Sequence, residues 1–444
     1  MQTKLILLTL VATATAALAS DRPNVVVILT DDQGYADISF NPHHPEEVST
    51  PHMDALAREG VFFSQAYITG NVCSPTRAGL MLGRYQQRVG VYDGGTGGSG
   101  FDPTIPIFPA FLPDEYYAGA FGKWHLGLDD DFPELKWHPL SRGFDSFYGF
   151  MGRGAHDYYD LLSESTGKFK HPLYRDKERI DDEGYLTTRL TVEAVEFIHR
   201  RRESPFFLYL AYNAVHAPAQ APQADIDKYR TKYPHLTPKR AVLMAMLEHL
   251  DEGVGDVVAA LKETDVFDDT LLFFFTDNGG AGAMEADNSP LRGRKQQVYE
   301  GGHRTPFIVS WPQRFEGGRE IDTPIISIDV LPTVLDAVGR LGVENDFDGR
   351  SLLPLIEGKT QIHHENLFWS EGGSTGEWAV RSGDFKLLGF KRRRELYDLG
   401  EDPAESKNLI DGLPEKGREL ERLYERWLDE MAPPSNGRPK RFGG

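Results

Sequence analysis

Cysteine is almost missing from this chain. Cys73 is the single one among 444 residues, so no internal disulfide can form. A lone cysteine is either a small buried hydrophobe or a chemical centre. Basic residues are also in deficit, with 48 Lys and Arg against 67 Asp and Glu and a formal charge of −19. That balance lacks the positive footprint that general nucleic-acid or anionic-membrane binding requires. Beyond the N-terminus no segment approaches the roughly 18 uninterrupted apolar residues of a membrane span, so no membrane insertion is expected. Internal repeats are absent too. What remains is ordinary globular composition, 40% apolar and 26% charged, in a chain long enough for two or three domains of roughly 100–200 residues.

The N-terminal stretch carries Lys4, an apolar run Leu5–Ala12 and the small-residue site Ala17-Leu18-Ala19. This pattern reads as a signal peptide over 1–19, cleaved after Ala19, and predicts an exported protein, periplasmic or secreted.

Five short apolar runs read as strands covered on both faces: Asn24–Thr30, Tyr117–Gly122, Pro205–Tyr212, Thr270–Thr276 and Thr305–Trp311. Continuous rather than alternating hydrophobicity is the mark of a mostly parallel sheet between helices. Helical patterns fill the gaps at His52–Glu59, Thr76–Gly83, Tyr185–Arg202, Pro238–Thr264 and Asp329–Val338, which makes the fold class α/β. Past Pro354 the character changes. Trp378–Phe390, the basic run Lys391–Arg394 and Glu395–Leu399 read as antiparallel strands, and Pro414–Met431 as a closing helix. The expected organisation is therefore a main domain over 20–353, a smaller α+β subdomain over 354–432 and a disordered Pro/Gly/Arg tail over 433–444.

In parallel sheets, ligands gather beyond the carboxyl ends of the strands. Asp31 and Asp32 follow the first strand directly, and Asp277 and Asn278 follow TLLFFFT. Either pair alone reads equally as a turn. At equivalent places in two strands, they read together as a site for a hard cation, Ca²⁺ or Mg²⁺, since adjacent carboxylates repel unless a cation lies between them. Cys73 sits in Asn71-Val-Cys-Ser-Pro-Thr-Arg-Ala78, with Ser74 as N-cap, Pro75 as first helical residue and Arg77 in the first turn. On its own this is equally a buried cysteine near an ordinary helix start. Lys123 and His125 follow the second strand, His216 the third, and Lys295 precedes Glu300-Gly-Gly-His-Arg304. Each alone reads as a surface or structural residue. Converging on a cation, they describe a pocket for a tetrahedral dianion or its ester.

C-S-P-T-R-A followed by G-K-W-H-L-G, with the flanking D-D-Q-G-Y, T-D-N-G and L-R-G-x-K…E-G-G-x-R, resembles the type I sulfatases of the alkaline-phosphatase-like superfamily. E-L-Y-D-L and D-P-x-E-x-x-N-L resemble that family's C-terminal subdomain. The resemblance covers nearly the whole chain past the N-terminal stretch. It implies a mixed, mostly parallel sheet sandwiched by helices. It also implies that Cys73 is oxidised to Cα-formylglycine by a formylglycine-generating or anaerobic sulfatase-maturing enzyme. The hydrated aldehyde then attacks the sulfur of a sulfate ester, and the sulfated product collapses back to aldehyde and free sulfate. By position, the resemblance assigns Asp31, Asp32, Asp277 and Asn278 to Ca²⁺, with Mg²⁺ second. It assigns Arg77 to the hydrated aldehyde, and Lys123 and Lys295 to sulfate oxygens. His125 would take a proton from the second hydroxyl, and His216 would protonate the leaving alcohol.

The implied function is sulfate monoester hydrolysis, with a sulfated carbohydrate as the expected substrate. An arylsulfatase, a phosphate or phosphonate monoester hydrolase and a non-catalytic sulfoglycan-binding protein are the alternatives. Met151–Ile180 matches no motif. Its Arg153, His156, Tyr158, Tyr159, His171 and Arg175 read either as a sugar-binding rim or as a plain surface loop, and Lys391–Arg394 as a polyanion contact or a solvated turn.

Overall fold

The computed structural model describes residues 22–435 apart from 153, 165, 166, 168, 343–345 and 372–375. The expected signal peptide, Arg153 and the tail past 435 lie outside the described residues. Strands β1 (Asn24–Thr30), β2 (Val61–Phe63), β3 (Ala66–Tyr67), β4 (Tyr117–Lys123), β5 (Ser146–Phe150), β6 (Leu173–Arg175), β7 (Glu178–Ile180) and β8 (Phe206–Ala211) occupy the first half. They are followed by β9 (Thr270–Thr276), β10 (Phe307–Ser310), β11 (Arg319–Ile321) and β12 (Ile325–Ile326). Ten of these form one sheet in the order β11-β2-β10-β9-β1-β8-β4-β5-β6-β7, while β3 and β12 form a separate two-stranded pair.

From β9 to β5 the strands run parallel. Along β1, Val25, Val27 and Leu29 enter the core on one face while Val26 and Ile28 enter the other. β9 divides likewise, with Leu271, Phe273 and Phe275 opposite Leu272 and Phe274. Both faces are apolar because helices cover both, which is why the runs do not alternate. One cover is Pro238–Glu263, opened by Pro238 and by Thr237 Oγ1 accepting from Arg240 N at 3.0 Å. Leu186–Arg201 packs beside it.

Three sequence expectations change at the periphery. The run Thr305–Trp311 becomes β10, which lies antiparallel to β9. The end of Met151–Ile180 is not rim: β6 and β7 form an antiparallel extension of the sheet beyond β5. The short helix Leu353–Ile356 crosses the expected subdomain boundary, and its Leu355 and Ile356 pack into the main core.

The C-terminal strands β13 (Asn366–Ser370), β14 (Trp378–Ser382), β15 (Phe385–Gly389) and β16 (Arg394–Asp398) form an antiparallel meander. The closing helix Pro414–Asp429 packs against it, with Trp378 stacked on Tyr424 at 4.1 Å. Lys391–Arg393 is the turn between β15 and β16. Arg393 and Arg394 are taken up by Glu395 and Glu421, both at 2.7 Å. At the start of the expected tail, Ser435 N donates to Gly90 O at 3.0 Å.

The subdomain is joined to the sheet by buried charge. Lys386 Nζ lies 2.8 Å from Glu300 Oε1 and 3.0 Å from Glu405 Oε1, all three fully buried. Tyr67 OH donates to Glu300 at 2.7 Å. The E-G-G-x-R motif thus serves this joint. Removing the cation strands two carboxylates in a low dielectric, so Lys386→Ala is expected to cost about 3–5 kcal/mol. Denaturant unfolding followed by tryptophan fluorescence measures this.

Candidate active site

The parallel register of β1 and β9 aligns Thr30 with Thr276. The residues after each strand are therefore neighbours: Asp31 and Asp32 on one side, Asp277 and Asn278 on the other. Asp277 N donates to Thr30 O at 3.0 Å, and Asp31 N to Ala214 O at 2.9 Å. Asp32 turns through a left-handed backbone, φ 63°, a strain of about 1–2 kcal/mol in a non-glycine residue. β4 ends at the same edge. Gly122 has φ 105°, and a Cβ there would lie 2.0 Å from Ala211 O. Only glycine lets β4 deliver Lys123 so close to β8.

Cys73 opens the helix Cys73–Leu82 instead of preceding it, and Val72 occupies the cap position. Ser74, expected as N-cap, instead donates from Oγ to His125 O at 2.8 Å. This bond ties the helix start to the segment after β4. The thiol is 5% exposed, so the site is enclosed and not a surface pocket.

Around Cys73 the nine other expected residues converge. Its Sγ lies 3.7 Å from Asp31 Oδ1 and 3.3 Å from Lys295 Nζ. Lys295 also reaches Asp32 Oδ1 at 2.5 Å, and Lys123 pairs with Asp31 Oδ2. Arg77 holds Asp277 Oδ2 through Nε at 3.0 Å and Nη2 at 2.7 Å, and Asp31 Oδ2 through Nη2 at 3.3 Å. Its Nη1 donates to Lys123 O at 2.8 Å. Asn278 Nδ2 donates to Asp32 Oδ1 at 2.7 Å. His216 Nε2 stands 3.6 Å from Asp32 Oδ2, and the His125 carbonyl is tied to the helix start by Ser74.

The electrostatics separate the two imidazoles. Burial brings His125 down to about 4, helped by Lys123 and only partly opposed by Cys73. For His216, burial also disfavours the cation, but Asp32 and Asp31 outweigh it and raise the pKa. The Cys73 thiol is driven well down: burial opposes ionisation, while Lys123 and Lys295 override it. The donor set also fits a hard cation. Asp277 Oδ1 and Asn278 Oδ1 are buried oxygens without a hydrogen-bond partner, a costly state that an oxygen-seeking divalent ion relieves.

Sequence reasoning missed the supports. Tyr158, expected at a rim, is fully buried, and its OH bonds the carbonyls of Asn213 at 3.0 Å and His216 at 2.9 Å. Tyr209 OH lies 3.5 Å from Arg77 Nη1. Other expected rim residues are structural. His156 is buried between the carbonyls of Asp157 and His171, its ring 6.2 Å from that of His171. Arg175 pairs with Glu193 at 2.6 Å. Tyr159 is exposed and packs on Tyr185. No sequence signal marks Tyr158, because a buried phenol and a sugar-stacking one look alike in a loop.

Comparison with known proteins shows the family and the fold. Residues 23–340 match the family model described as "Sulfatase", and residues 294–431 the one described as "N-sulphoglucosamine sulphohydrolase, C-terminal". The chain is 29% identical to the uncharacterized sulfatase YdeN of Escherichia coli (strain K12), over 93% of this chain and 86% of that protein. It is 30% identical to the N-acetylgalactosamine-6-sulfatase of Mus musculus, over 89% of this chain and 77% of that protein. Among solved structures, Ps i-CgsB in complex with k-i-k-neocarrahexaose superimposes with a TM-score of 0.85 at 31% identity, over 93% of this chain and 94% of that one. The chain belongs to the sulfatase family, the hydrolases of sulfate esters.

If the unpartnered oxygens await a cation, chelator-treated protein should gain thermal stability on addition of Ca²⁺. Asp277→Asn should lose most of that gain. Differential scanning calorimetry with and without Ca²⁺ checks both.

Proposed function

We propose that the protein hydrolyses sulfate monoesters of a carbohydrate, with residue 73 as the nucleophile after oxidation to formylglycine. The observation that carries this reading is the setting of Cys73 Sγ between Lys295 Nζ and Asp31 Oδ1, beside buried unpartnered oxygens. A nucleophile there faces both anion-binding cations and a place for a metal. The preference for a carbohydrate rests on the likeness to Ps i-CgsB and to the N-acetylgalactosamine-6-sulfatases. The Lys4-to-Ala19 stretch supports action outside the cytoplasm.

Asp31, Asp32, Asp277 and Asn278 would hold Ca²⁺, which supplies positive charge for a sulfate oxygen and for the attacking hydroxyl. Formylglycine hydrate supplies that hydroxyl, and its second hydroxyl provides the route to releasing sulfate and restoring the aldehyde. Lys123 and Lys295 balance charge on the sulfate oxygens in the transition state. Arg77, locked by Asp277 and Asp31, orients the nucleophile. His216 Nε2 gives a proton to the departing alcohol, while its Nδ1 is fixed 2.8 Å from Ala217 O. His125, neutral through burial, accepts the proton of the second hydroxyl.

Cys73→Ala should keep the fold and lower turnover by about 10⁴-fold or more, as loss of a nucleophile does. Steady-state assays on matched sulfate and phosphate monoesters of one sugar check this, with sulfate expected to be the faster wild-type substrate. A preference for phosphate would overturn the reading.

His216→Ala should cost about 10²-fold or more on a sugar sulfate. On an aryl sulfate with a good leaving group it should cost much less, because that alcohol departs without a proton. Equal losses on both esters would remove the acid role.

A further inference from the structure

A second convergence of metal-ligating side chains lies away from the catalytic cluster and shares no residue with it. Asp329, His363 and His364 bring one carboxylate and two imidazoles together with all ligand atoms within 4.8 Å of one another. Asp329 ends the turn before the helix Val330–Ala337, and the two histidines lie just ahead of β13. His364 Nε2 is 2.8 Å from Asp329 Oδ1, and His363 Nε2 is 3.1 Å from Oδ2. The rings stand nearly perpendicular, at 88° with centroids 4.6 Å apart.

Three features distinguish this arrangement from a plain ion pair. His363 is 3% exposed, and its Nε2 makes no hydrogen bond despite its closeness to the carboxylate. A buried imidazole nitrogen beside a carboxylate that it does not bond can be satisfied by an ion to one side of the pair that both ligate. The donor spacing also suits one: ligands at about 2.0–2.2 Å from a tetrahedral or octahedral ion stand roughly 3 Å apart. Finally, the carboxylate is oriented from behind. Asp329 Oδ2 accepts from Ile326 N at 2.9 Å, and Oδ1 from Arg350 N at 2.8 Å, the supporting bonds that metal-binding carboxylates use.

We propose that Asp329, His363 and His364 form a zinc-class transition-metal site that clips the approach to the C-terminal meander onto the main domain. Two nitrogens and one carboxylate favour zinc over the hard cation of the catalytic cluster. Both imidazoles line a cavity of about 670 Å³ between the main sheet's periphery and the meander, where Gln65, Asp322 and Glu365 also contribute. The ion enters through this cavity and keeps a solvent ligand on its open side. Bound, it joins Asp329 to His363 across the intervening chain and adds a crosslink to the joint made by Lys386.

The test is calorimetric titration of the full-length protein with Zn²⁺ in saturating Ca²⁺. One Zn²⁺ per chain is expected, with a rise in thermal midpoint. His364→Gln should weaken binding by about 10²-fold or more. His363→Ala should do the same, and if it fails to fold, the less buried His364→Gln gives the answer alone. His216→Ala, which removes the imidazole from the catalytic cluster, should retain the zinc. Co²⁺ loaded in place of Zn²⁺ should show ligand-field absorption that His364→Gln abolishes. Absence of zinc binding by the wild type overturns the proposal. So does equal affinity in His364→Gln, or loss of the zinc in His216→Ala.

Discussion

The structure depends on one alignment, the parallel pairing of β1 with β9 through Thr30 and Thr276. It forces three carboxylates and an amide into one buried volume, where like charges alone would be untenable. Arg77, Lys123 and Lys295 answer that charge from three other elements, and each is held by it in turn. The cations that would face a sulfate ester are therefore positioned by the same interactions that make the fold possible. The family to which the chain belongs and this buried convergence of charge are read from independent observations.

Much of this was legible in the amino-acid order. β1 and β9 begin and end where their apolar runs do, because strands covered on both faces have sharp chemical limits. The donors after them stood out because two neighbouring acids at a strand end need a reason. What could not be read was anything set by partners distant in sequence. Ser74 looked like a cap, but the carbonyl of His125 claims its hydroxyl. β6 and β7 looked like loop because a three-residue strand carries little periodicity. Tyr158 and His156 looked available for a sugar until the fold enclosed them. β13 escaped notice because its Asn366–Ser370 run gains strand character only by pairing with β14.

The C-terminal meander is held by chemistry of a different kind from the sheet. Its attachment uses Lys386 between two glutamates, the hydroxyl of Tyr67, and Trp369, whose Nε1 donates to Ile68 O at 2.7 Å. Polar joints of this sort specify one docking geometry, because any slip leaves buried charge without a partner. Apolar contact alone would tolerate sliding. The joint ends in Glu300, in the short helix that follows Lys295, so the meander braces the segment that carries this lysine beside Cys73.

The left-handed turn at Asp32 has its own consequence. A side chain that leaves a central strand through a strained, enclosed corner has no neighbouring loop whose lengthening or shortening could adjust it. Variation in what the enzyme accepts must then be written elsewhere, in segments that approach the cleft from outside the sheet. An engineer seeking a new ester would do best to rebuild those approaches and leave the strand ends alone.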